Sequence, residues 1–364
     1  MKKQFFAIGT AIAMSAALFA FAACEETPEQ DGDDSQGGNQ PSANAFRMAG
    51  DLQELYGGEN GYPQAVLVAK TSVLETAGTA VETITSYMEG SAEYLAQASA
   101  QTVVDLLADY YTEGMTPSLN AKNLTAEVIA NCSVKYYSTA EETTRTRVNN
   151  YLAELIAVDS TAAKAVSDAF YYIPAASDEG AATSDVTYTV YAPDGAPALA
   201  LANAVSQSQE STLFDFHIVA SETIGAQVSG ETPAADFCIL PVNAASKLPG
   251  TGEKYKMLGI VTNGNIFLLT TGDNAVITPE NLSSLVGKTV GVVQLPNVPG
   301  LTFRAVLDKY DIAYQVLGND NAPAADKVNL KAMDATNVTP ASGCDYYLCP
   351  EPAATTKINA TAGK

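Results

Sequence analysis

Histidine and basic side chains are scarce in this sequence. His217 is the only histidine, and 19 lysine and arginine residues face 41 aspartate and glutamate residues, for a formal net charge of -22. Metalloprotease motifs need two histidines and are therefore excluded, and a Ser-His-Asp arrangement would have to use His217. Phosphate binding needs clustered Lys and Arg, so the charge argues against nucleic acid as a partner.

Catalytic motifs are also lacking. No GxSxG occurs, and residues 287–289 (GKT) end like a phosphate-binding loop, but Leu282 stands where that loop needs glycine. Glu141, Glu142 and Glu351 are candidate acids, yet no partner pairs with any of them convincingly. The sequence therefore predicts a protein that is not an enzyme and that carries no metal and no cofactor.

The five cysteines match no zinc-binding spacing. Cys238 lies inside an apolar run typical of a strand, where a buried free thiol is the simplest interpretation. In an exported chain, Cys132, Cys238, Cys344 and Cys349 are even in number and permit disulfides. The sequence leaves their pairing open.

The first residues have the pattern of an export signal. Lys2 and Lys3 precede a continuous apolar stretch over 5–21, and two alanines come directly before Cys24. This pattern predicts a signal peptide over residues 1–23 and lipidation of Cys24, which would become the first residue of the mature chain. The alternatives are a plain signal peptide followed by an incidental cysteine, or an uncleaved membrane anchor.

Residues 24–45 are acidic and almost free of large apolar side chains. Such a segment cannot bury enough surface to offset its ordering entropy, so we predict a flexible tether after the lipidated cysteine. Lipid chains would then hold the protein on the outer face of the cytoplasmic membrane, in the cell envelope. Residues 174–185 (PAASDEGAATSD) have a similar composition and predict a second linker.

The two segments that flank this linker differ in pattern. Over 46–173, apolar residues recur at helical spacing, with stripes over 73–88, 103–110, 148–156 and 166–170. Over 186–364, strand and helix patterns alternate. We expect strands near 186–190, 214–220, 236–240, 265–271, 288–294 and 313–317, and helices near 196–205, 278–287 and 301–310. This alternation predicts an α/β fold with a mostly parallel sheet covered on both faces.

Turns rich in proline, glycine and asparagine follow several of these strands. They lie at 192–197 (APDGAP), 241–245 (PVNAA), 294–300 (QLPNVPG) and 350–353 (PEPA). In an open parallel sheet, ligands bind beyond the carboxyl ends of the strands, where the following helices offer free backbone N–H groups. The turns are therefore candidate walls of a ligand cleft.

Four segments that contain these turns carry a family resemblance. Residues 191–202 (YAPDGAPALALA), 237–248 (FCILPVNAASKL), 284–303 (SLVGKTVGVVQLPNVPGLTF) and 344–358 (CDYYLCPEPAATTKI) resemble periplasmic binding proteins of the nitrate/sulfonate/taurine and thiamine-precursor type. The resemblance implies a two-lobed α/β fold of the type II, Venus flytrap kind. Two strands would cross between the lobes, and a solute would lie between them.

The order of the segments differs from the order in that family. Residues 58–70 (GENGYPQAVLVAK) and the helices stand first here, although the family has them after the segment that resembles PEPA. Joining 360–364 to 46–51 restores a continuous sequence, which predicts a circular permutation across the 174–185 linker. The alternative is two truncated or misassembled gene fragments. The crossing strands would lie near 63–69 and 265–270.

Position within these segments selects the candidate ligand contacts. Asn243 and Asn297 would offer amide groups to a ligand, and Tyr62 or a neighbouring aromatic residue could stack on a planar one. The full set of predicted contacts is Tyr62, Asp194, Gly195, Ala196, Asn243, Asn265, Pro296, Asn297 and Glu351.

The resemblance implies a monomeric solute-binding lipoprotein of an ABC importer. It would capture a small organic or anionic solute and deliver it to the permease in the membrane. Other hypotheses remain open at this point. They are a sensor that presents its ligand to a membrane receptor, a structural or adhesive surface lipoprotein and, least favoured, an enzyme.

Overall fold

The computed structural model describes residues 44–58, 60–174, 186–251 and 253–362. The predicted signal peptide, the lipidated Cys24 and most of the predicted tether lie outside these residues, as do all but the first residue of the predicted 174–185 linker. Within the described residues, no helix is both long enough and apolar enough to cross a membrane.

The chain contains both strands and helices, with five consecutive α-helices between its second and third strands. The strands are β1 (Arg47–Asp51), β2 (Ala65–Lys70), β3 (Val134–Ser138), β4 (Tyr188–Pro193), β5 (Phe214–Val219), β6 (Phe237–Pro241), β7 (Tyr255–Thr262), β8 (Ile266–Thr270), β9 (Thr289–Val293), β10 (Tyr314–Leu317), β11 (Val328–Met333) and β12 (Tyr346–Pro350). The α-helices are α1 (Leu52–Tyr56), α2 (Thr71–Thr76), α3 (Gly78–Glu89), α4 (Ser91–Gln97), α5 (Ala100–Ala108), α6 (Ala126–Asn131), α7 (Glu142–Val158), α8 (Ala196–Ala200), α9 (Ala202–Gln207), α10 (Ile224–Gln227), α11 (Val242–Ala245), α12 (Val298–Lys309) and α13 (Ala353–Thr361).

The strands form two six-stranded sheets. Sheet I has the order β3-β7-β2-β6-β4-β5, and sheet II has the order β1-β8-β12-β9-β11-β10. Both sheets are mixed, so the prediction of a mostly parallel sheet was wrong. The sequence pattern missed the antiparallel strands because β2 and β8 each enter their sheet from the other one.

The two sheets share one strand arrangement. In sheet I the parallel strands β5, β4 and β6 are followed by β2 and β7, with antiparallel pairing at each of these last two steps. In sheet II the parallel strands β11, β9 and β12 are followed in the same way by β8 and β1. The same topology therefore occurs twice in the molecule, with β3 and β10 added at the outer edges.

Two short segments carry the chain between the sheets. The first crossing, residues 52–64, runs from β1 of sheet II to β2 of sheet I and contains α1. The second crossing, residues 263–265, runs from β7 of sheet I to β8 of sheet II. Both lie directly beside the segments at which the sequence predicted crossing strands.

One hydrophobic core is continuous between the sheets. It joins Val66 and Leu240 of sheet I to Leu268 and Val292 of sheet II, with apolar residues of α7 and α12 between them. A second core covers the opposite face of sheet I under α3, α4, α5, α8 and α9. A third, smaller core lies against sheet II beside α13.

Helix α7 shows how the sequence pattern directs this packing. Val148, Tyr151, Leu152 and Leu155 recur at three- and four-residue spacing, and all four are buried in the core between the sheets. The helix predicted over 148–156 is therefore confirmed, and it extends six residues further towards its N-terminus because Glu142–Val158 is helical as a whole.

Two predicted helices are not α-helices. Residues 278–287 form only a short 3₁₀ turn, Leu282–Leu285. The Asn281 side chain accepts a hydrogen bond from the Thr278 backbone N–H (2.7 Å) and donates one to the Val276 carbonyl (2.8 Å), so local bonds replace helical ones. Around Val166 the helical part is limited to the 3₁₀ turn Asp168–Phe170.

Residues 46–173 are not purely helical, because they contribute β1, β2 and β3. Both β1 and β3 have only five residues and pair with strands more than 100 residues away in sequence. Short strands of this kind have little periodicity of their own, so their pairing partners decide their conformation.

Cys238 is the buried free thiol that the sequence suggested, and the three other described cysteines, whose pairing the sequence left open, are free as well. Cys132, Cys238, Cys344 and Cys349 are free and buried, and burial raises the pKa of Cys238 far above its ordinary value. His217 lies on the edge strand β5, where its ring stacks on Tyr191 with a centroid distance of 4.6 Å and its Nε2 lies 3.0 Å from Asp215.

Candidate functional site

The carboxyl ends of the parallel strands lie on one edge of each sheet. In sheet I this edge carries the ends of β4, β5, β6 and β7 and the start of the antiparallel β2. In sheet II it carries the ends of β1, β9, β11 and β12 and the start of β8. We call these strand ends edge I and edge II; the two crossings join them directly.

All of the predicted ligand contacts lie on these two edges. Edge I carries Tyr62, Asp194, Gly195, Ala196 and Asn243, which stand before β2 and after β4 and β6. Edge II carries Asn265, Pro296, Asn297 and Glu351, which stand before β8 and after β9 and β12. We call the line along which edge I adjoins edge II the seam. Residues that are far apart in sequence thus lie on its two sides.

A cleft of about 1070 Å³ opens at one end of this seam. Edge I contributes Glu222, from the segment after β5, and edge II contributes the ends of β9 and β11. Its lining residues are Glu222, Val293, Gln294, Leu295, Pro296, Lys331, Ala332, Met333, Asp334, Ala335, Thr336, Asn337, Thr339 and Ser342. Of the predicted contacts, only Pro296 is in this lining.

The sequence interpretation missed most of the cleft wall, because β11 was not recognised. Its sequence VNLKAM has only its first three residues buried, which is too short a pattern to predict a strand. For Glu222, the only sequence feature that could have indicated a place in the cleft wall is its position after a strand.

The turn from β9 to α12 is tightly built. Gln294 has a φ of 56°, in the left-handed region, and Gly300 lies so close to the Leu295 backbone that a Cβ would collide with it. Asn297 caps the twelve-residue helix α12 without making a side-chain cap bond, and it is exposed. Its amide is therefore available at a helix N-terminus, as predicted for a ligand contact.

Asp194 has a structural task. Its carboxylate accepts hydrogen bonds from the Tyr111 hydroxyl (2.9 Å), the Ser118 backbone N–H (2.8 Å) and the Gly195 backbone N–H (2.8 Å). These bonds hold the 111–118 segment against the end of β4. Gly195 has a φ of 97°, and Ala196 begins α8 as a buried residue.

Glu351 is almost completely buried, with 1% of its surface exposed. Its carboxylate accepts from the Thr355 backbone N–H (3.0 Å) and the Thr355 hydroxyl (2.7 Å). Burial nevertheless raises the pKa of Glu351 above its ordinary value, against the lowering effect of its bonds to Thr355 and Asn131. Its backbone is tied to Asn265 by two 2.7 Å hydrogen bonds.

The Tyr62 ring is buried in an aromatic cluster. It stacks on Tyr151 of α7 with centroids 5.7 Å apart and packs edge-on against Tyr56 at 5.4 Å. In this structure Tyr151 thus occupies one face of the ring that was expected to stack on a ligand. The stacking role of Tyr62 stays a prediction.

Arg147 of α7 holds the two crossings together. Its guanidinium donates to the Asn60 and Gly61 carbonyls of the first crossing and to Asn263 Oδ1 (2.8 Å) of the second. The Asn263 amide in turn donates to the Ser133 carbonyl, directly before β3, and to the Lys135 carbonyl, within β3.

A second cavity of about 890 Å³ lies next to these crossings. Its polar wall includes Gln53, Asn60 and Asn263 of the crossings, and its apolar wall comes mainly from α4, α6 and the segments around them. None of the predicted ligand contacts lines this cavity.

Comparisons with known proteins give no match, whether with family models, curated proteins or solved structures. The function of the site is therefore argued from its own geometry.

Proposed function

We propose that this protein is an extracytoplasmic solute-binding lipoprotein that captures a small organic or anionic solute between its two sheets and delivers it to the permease of an ABC importer. The observation that carries the proposal is the pair of sheets with one shared topology, whose strand ends are joined by two crossings and border a cleft lined by edge II and by Glu222. Strand ends of this kind are where open α/β sheets bind ligands.

The connections between the sheets support a closing motion. Two segments, 52–64 and 263–265, carry the chain from one sheet to the other. Rotation of one sheet against the other about these connections would enclose a ligand, and it would have to be accommodated by the core that α7 and α12 form between the sheets. No bond is made or broken in this mechanism.

The finer assignment, a permuted type II flytrap fold, is part of the proposal. It is supported by the position of the two ends of the described part of the chain, because the Phe46 backbone N–H donates to the Thr361 hydroxyl at 2.9 Å. The residues that the permutation would join therefore lie side by side. The export signal and Cys24 support placement at the outer face of the cytoplasmic membrane.

A ligand screen on the purified protein tests this function. We expect one class among pyrimidines, thiamine precursors, sulfonates and small anions to raise the unfolding midpoint. A ligand at a hundred times its Kd that binds only the folded state adds about 2.7 kcal/mol. A cooperative transition that no compound moves would count against solute binding.

The Asn297→Ala variant localises the binding. Because Asn297 is exposed and makes no cap bond, we expect its loss to weaken calorimetric binding of any screening hit while leaving the unfolding midpoint nearly unchanged. Asn150→Ala, an exposed asparagine on α7, is the matched control and should leave affinity unchanged. Equal affinity in both variants would remove the β9–α12 turn from the site.

A further inference from the structure

The cavity of about 890 Å³ beside the two crossings, which we call the crossing cavity, is lined partly by buried apolar side chains. These are Leu95 of α4, Leu124, Ile129 of α6 and Val134 of β3. A space of this volume, with mainly apolar walls and a few polar groups, is typical of sites that hold small organic molecules.

Alanines on two helices keep the crossing cavity open. Ala92 and Ala96 lie four residues apart on α4, and Ala126 and Ala130 lie four residues apart on α6, so each pair shares one face of its helix. All four line the cavity and are exposed. Longer apolar side chains at these positions would extend into the space that the alanines leave free.

Seven of the eight polar side chains in the lining already have hydrogen-bond partners within the protein. The Gln53 amide donates to the Ser133 hydroxyl at 2.9 Å, for example, and the Tyr137 hydroxyl donates to Asn60 Oδ1 at 2.8 Å. The seven are Gln53, Asn60, Ser99, Thr125, Ser133, Tyr137 and Asn263.

The eighth is Lys135, which is also the only charged side chain in the lining. Its Nζ lies 5.1 Å from the centroid of the Tyr137 ring, and the Arg147 guanidinium lies 4.9 Å from the same centroid. Within the described residues, Lys135 has neither a hydrogen bond from its ammonium group nor an ion pair with a carboxylate. The carboxylates of α4 and α6, Glu93 and Glu127, are not in the lining.

We propose that the crossing cavity binds a small organic monoanion, whose apolar body packs against α4 and α6 and whose single carboxylate pairs with Lys135. The apolar body gains from leaving water, and the carboxylate gains a charge-assisted hydrogen bond. An amine would instead bring a like charge towards Lys135, and the second carboxylate of a dianion would have no cation in the lining. The inference goes beyond the solute-binding function proposed above, because the crossing cavity shares no lining residue with the cleft.

The first test compares three probes that differ only in their polar end, namely octanoate, octanol and octylamine. They are titrated into the purified full-length chain by calorimetry. We expect octanoate to bind roughly fivefold more tightly than octanol, as for an ion pair at a partly exposed site, and octylamine to bind least. Lys135→Met should lower the affinity for octanoate to that for octanol. Lys331→Met, which removes an exposed lysine from the cleft wall, is the matched control and should leave octanoate binding unchanged.

The second test fills the crossing cavity with Ala96→Leu. Because Ala96 is exposed on a helix and leucine is a good helix former, this variant should keep the wild-type unfolding midpoint while it loses binding of octanoate and octanol. Ala130→Leu blocks the cavity from α6 and should have the same effect. Ala153→Leu, at an exposed alanine of α7 outside both cavities, is the matched control and should bind octanoate as the wild type does.

Three results would overturn the proposal. Equal affinity for octanoate and octylamine, or octanoate binding that Lys135→Met leaves unchanged, would contradict the pairing with Lys135. Binding that survives both Ala96→Leu and Ala130→Leu, or that Lys331→Met abolishes, would place the probe outside the crossing cavity. Absence of binding by all three probes at millimolar concentration would mean that the crossing cavity holds no such ligand. None of these results bears on the solute screen, because a solute in the cleft contacts none of the substituted positions except Lys331.

Discussion

Among single residues, Glu351 combines burial with a full set of local hydrogen bonds. Its carboxyl accepts from Thr355 twice, while its backbone holds Asn265 at the start of β8. Desolvation is the larger effect, and it raises the pKa of this carboxyl. The backbone of Glu351 thus fixes the geometry of edge II. Ionisation of its buried carboxyl, in contrast, lowers the free energy of unfolding.

The sign of that cost can be measured with Glu351→Gln. A glutamate whose pKa is raised by folding contributes stability below its unfolded pKa of 4.5, and this stability is lost as the pH rises through the folded pKa. The variant cannot ionise. The free energy of unfolding of the variant should therefore increase relative to that of the wild type as the pH rises above about 4.5, as measured by urea unfolding.

Glu280→Gln is the matched control for this pH series. The pKa of Glu280 is lowered by hydrogen bonds from Thr278 and from its own backbone N–H, and its side chain is fully solvated. The pH trend of that variant should be absent or reversed. Parallel trends in the two variants would contradict the burial argument for Glu351.

Glycine at the first crossing is required by contact as well as by conformation. Gly61 and Gly58 both have positive φ values, 60° and 98°. A Cβ on Gly61 would collide with the Asn263 carbonyl of the second crossing, whereas one on Gly58 would meet nothing within 4 Å. The two crossings therefore touch through a position that only glycine can occupy.

We expect Gly58→Ala to cost about 1 kcal/mol, the price of a left-handed conformation alone. Gly61→Ala should cost clearly more, because the crossings must also separate. Urea unfolding of both variants checks this. Equal losses would mean that the crossings do not pack as described.

At the scale of elements, helices α7 and α12 join the sheets. They pack on each other in the shared core, and the Tyr151 hydroxyl of α7 bonds to the Thr302 hydroxyl of α12. Helix α7 also bears Arg147, which binds both crossings. Helices α7 and α12 therefore hold the two sheets together through one shared core.

Phe303 of α12 is fully buried in that core. Phe303→Ala should destabilise the protein by about 3 to 5 kcal/mol, because a large cavity is left between the sheets. Arg304→Ala, on the partly exposed neighbour, should change stability by only about 0.5 kcal/mol. Urea unfolding of the two variants checks this, and similar losses would contradict the placement of α12.

At the scale of the whole molecule, the two ends of the described residues meet beside sheet II. Phe46 and Thr361 are hydrogen-bonded to each other. On either side of the predicted 174–185 linker, Ile173 and Val186 are about half exposed, at 53% and 49%. A chain can be opened at an exposed position without loss of the fold, and its original termini can be joined when they lie close together.

A circular permutant should therefore fold. Joining Lys364 to Ala45 and opening the chain within 175–185 should give a protein with one cooperative transition at a midpoint close to that of the parent, as measured by circular dichroism. The same join with the chain opened inside β2, a buried central strand of sheet I, is the control that should fail. Failure of the first permutant would contradict the proposed family order.

Local pattern alone determined a good part of this protein. The apolar stripe of α7, the strands β4, β5, β6, β8, β9 and β10, and the turns after β4, β6, β9 and β12 could be predicted, because each depends on residues within one element. Asn243 and Asn265 were predicted as ligand contacts in the same way, from their positions beside strands, and this role stays a prediction.

Only the tertiary structure decided the rest. The antiparallel entry of β2 and β8, the short strands β1 and β3, and the grouping of α4, α6 and β3 around the crossing cavity all depend on partners far away in sequence. Pairing energy and desolvation are properties of the assembled sheets. A periodicity read along the chain cannot report which lysine lines a cavity without a carboxylate partner, because that depends on what packs around it.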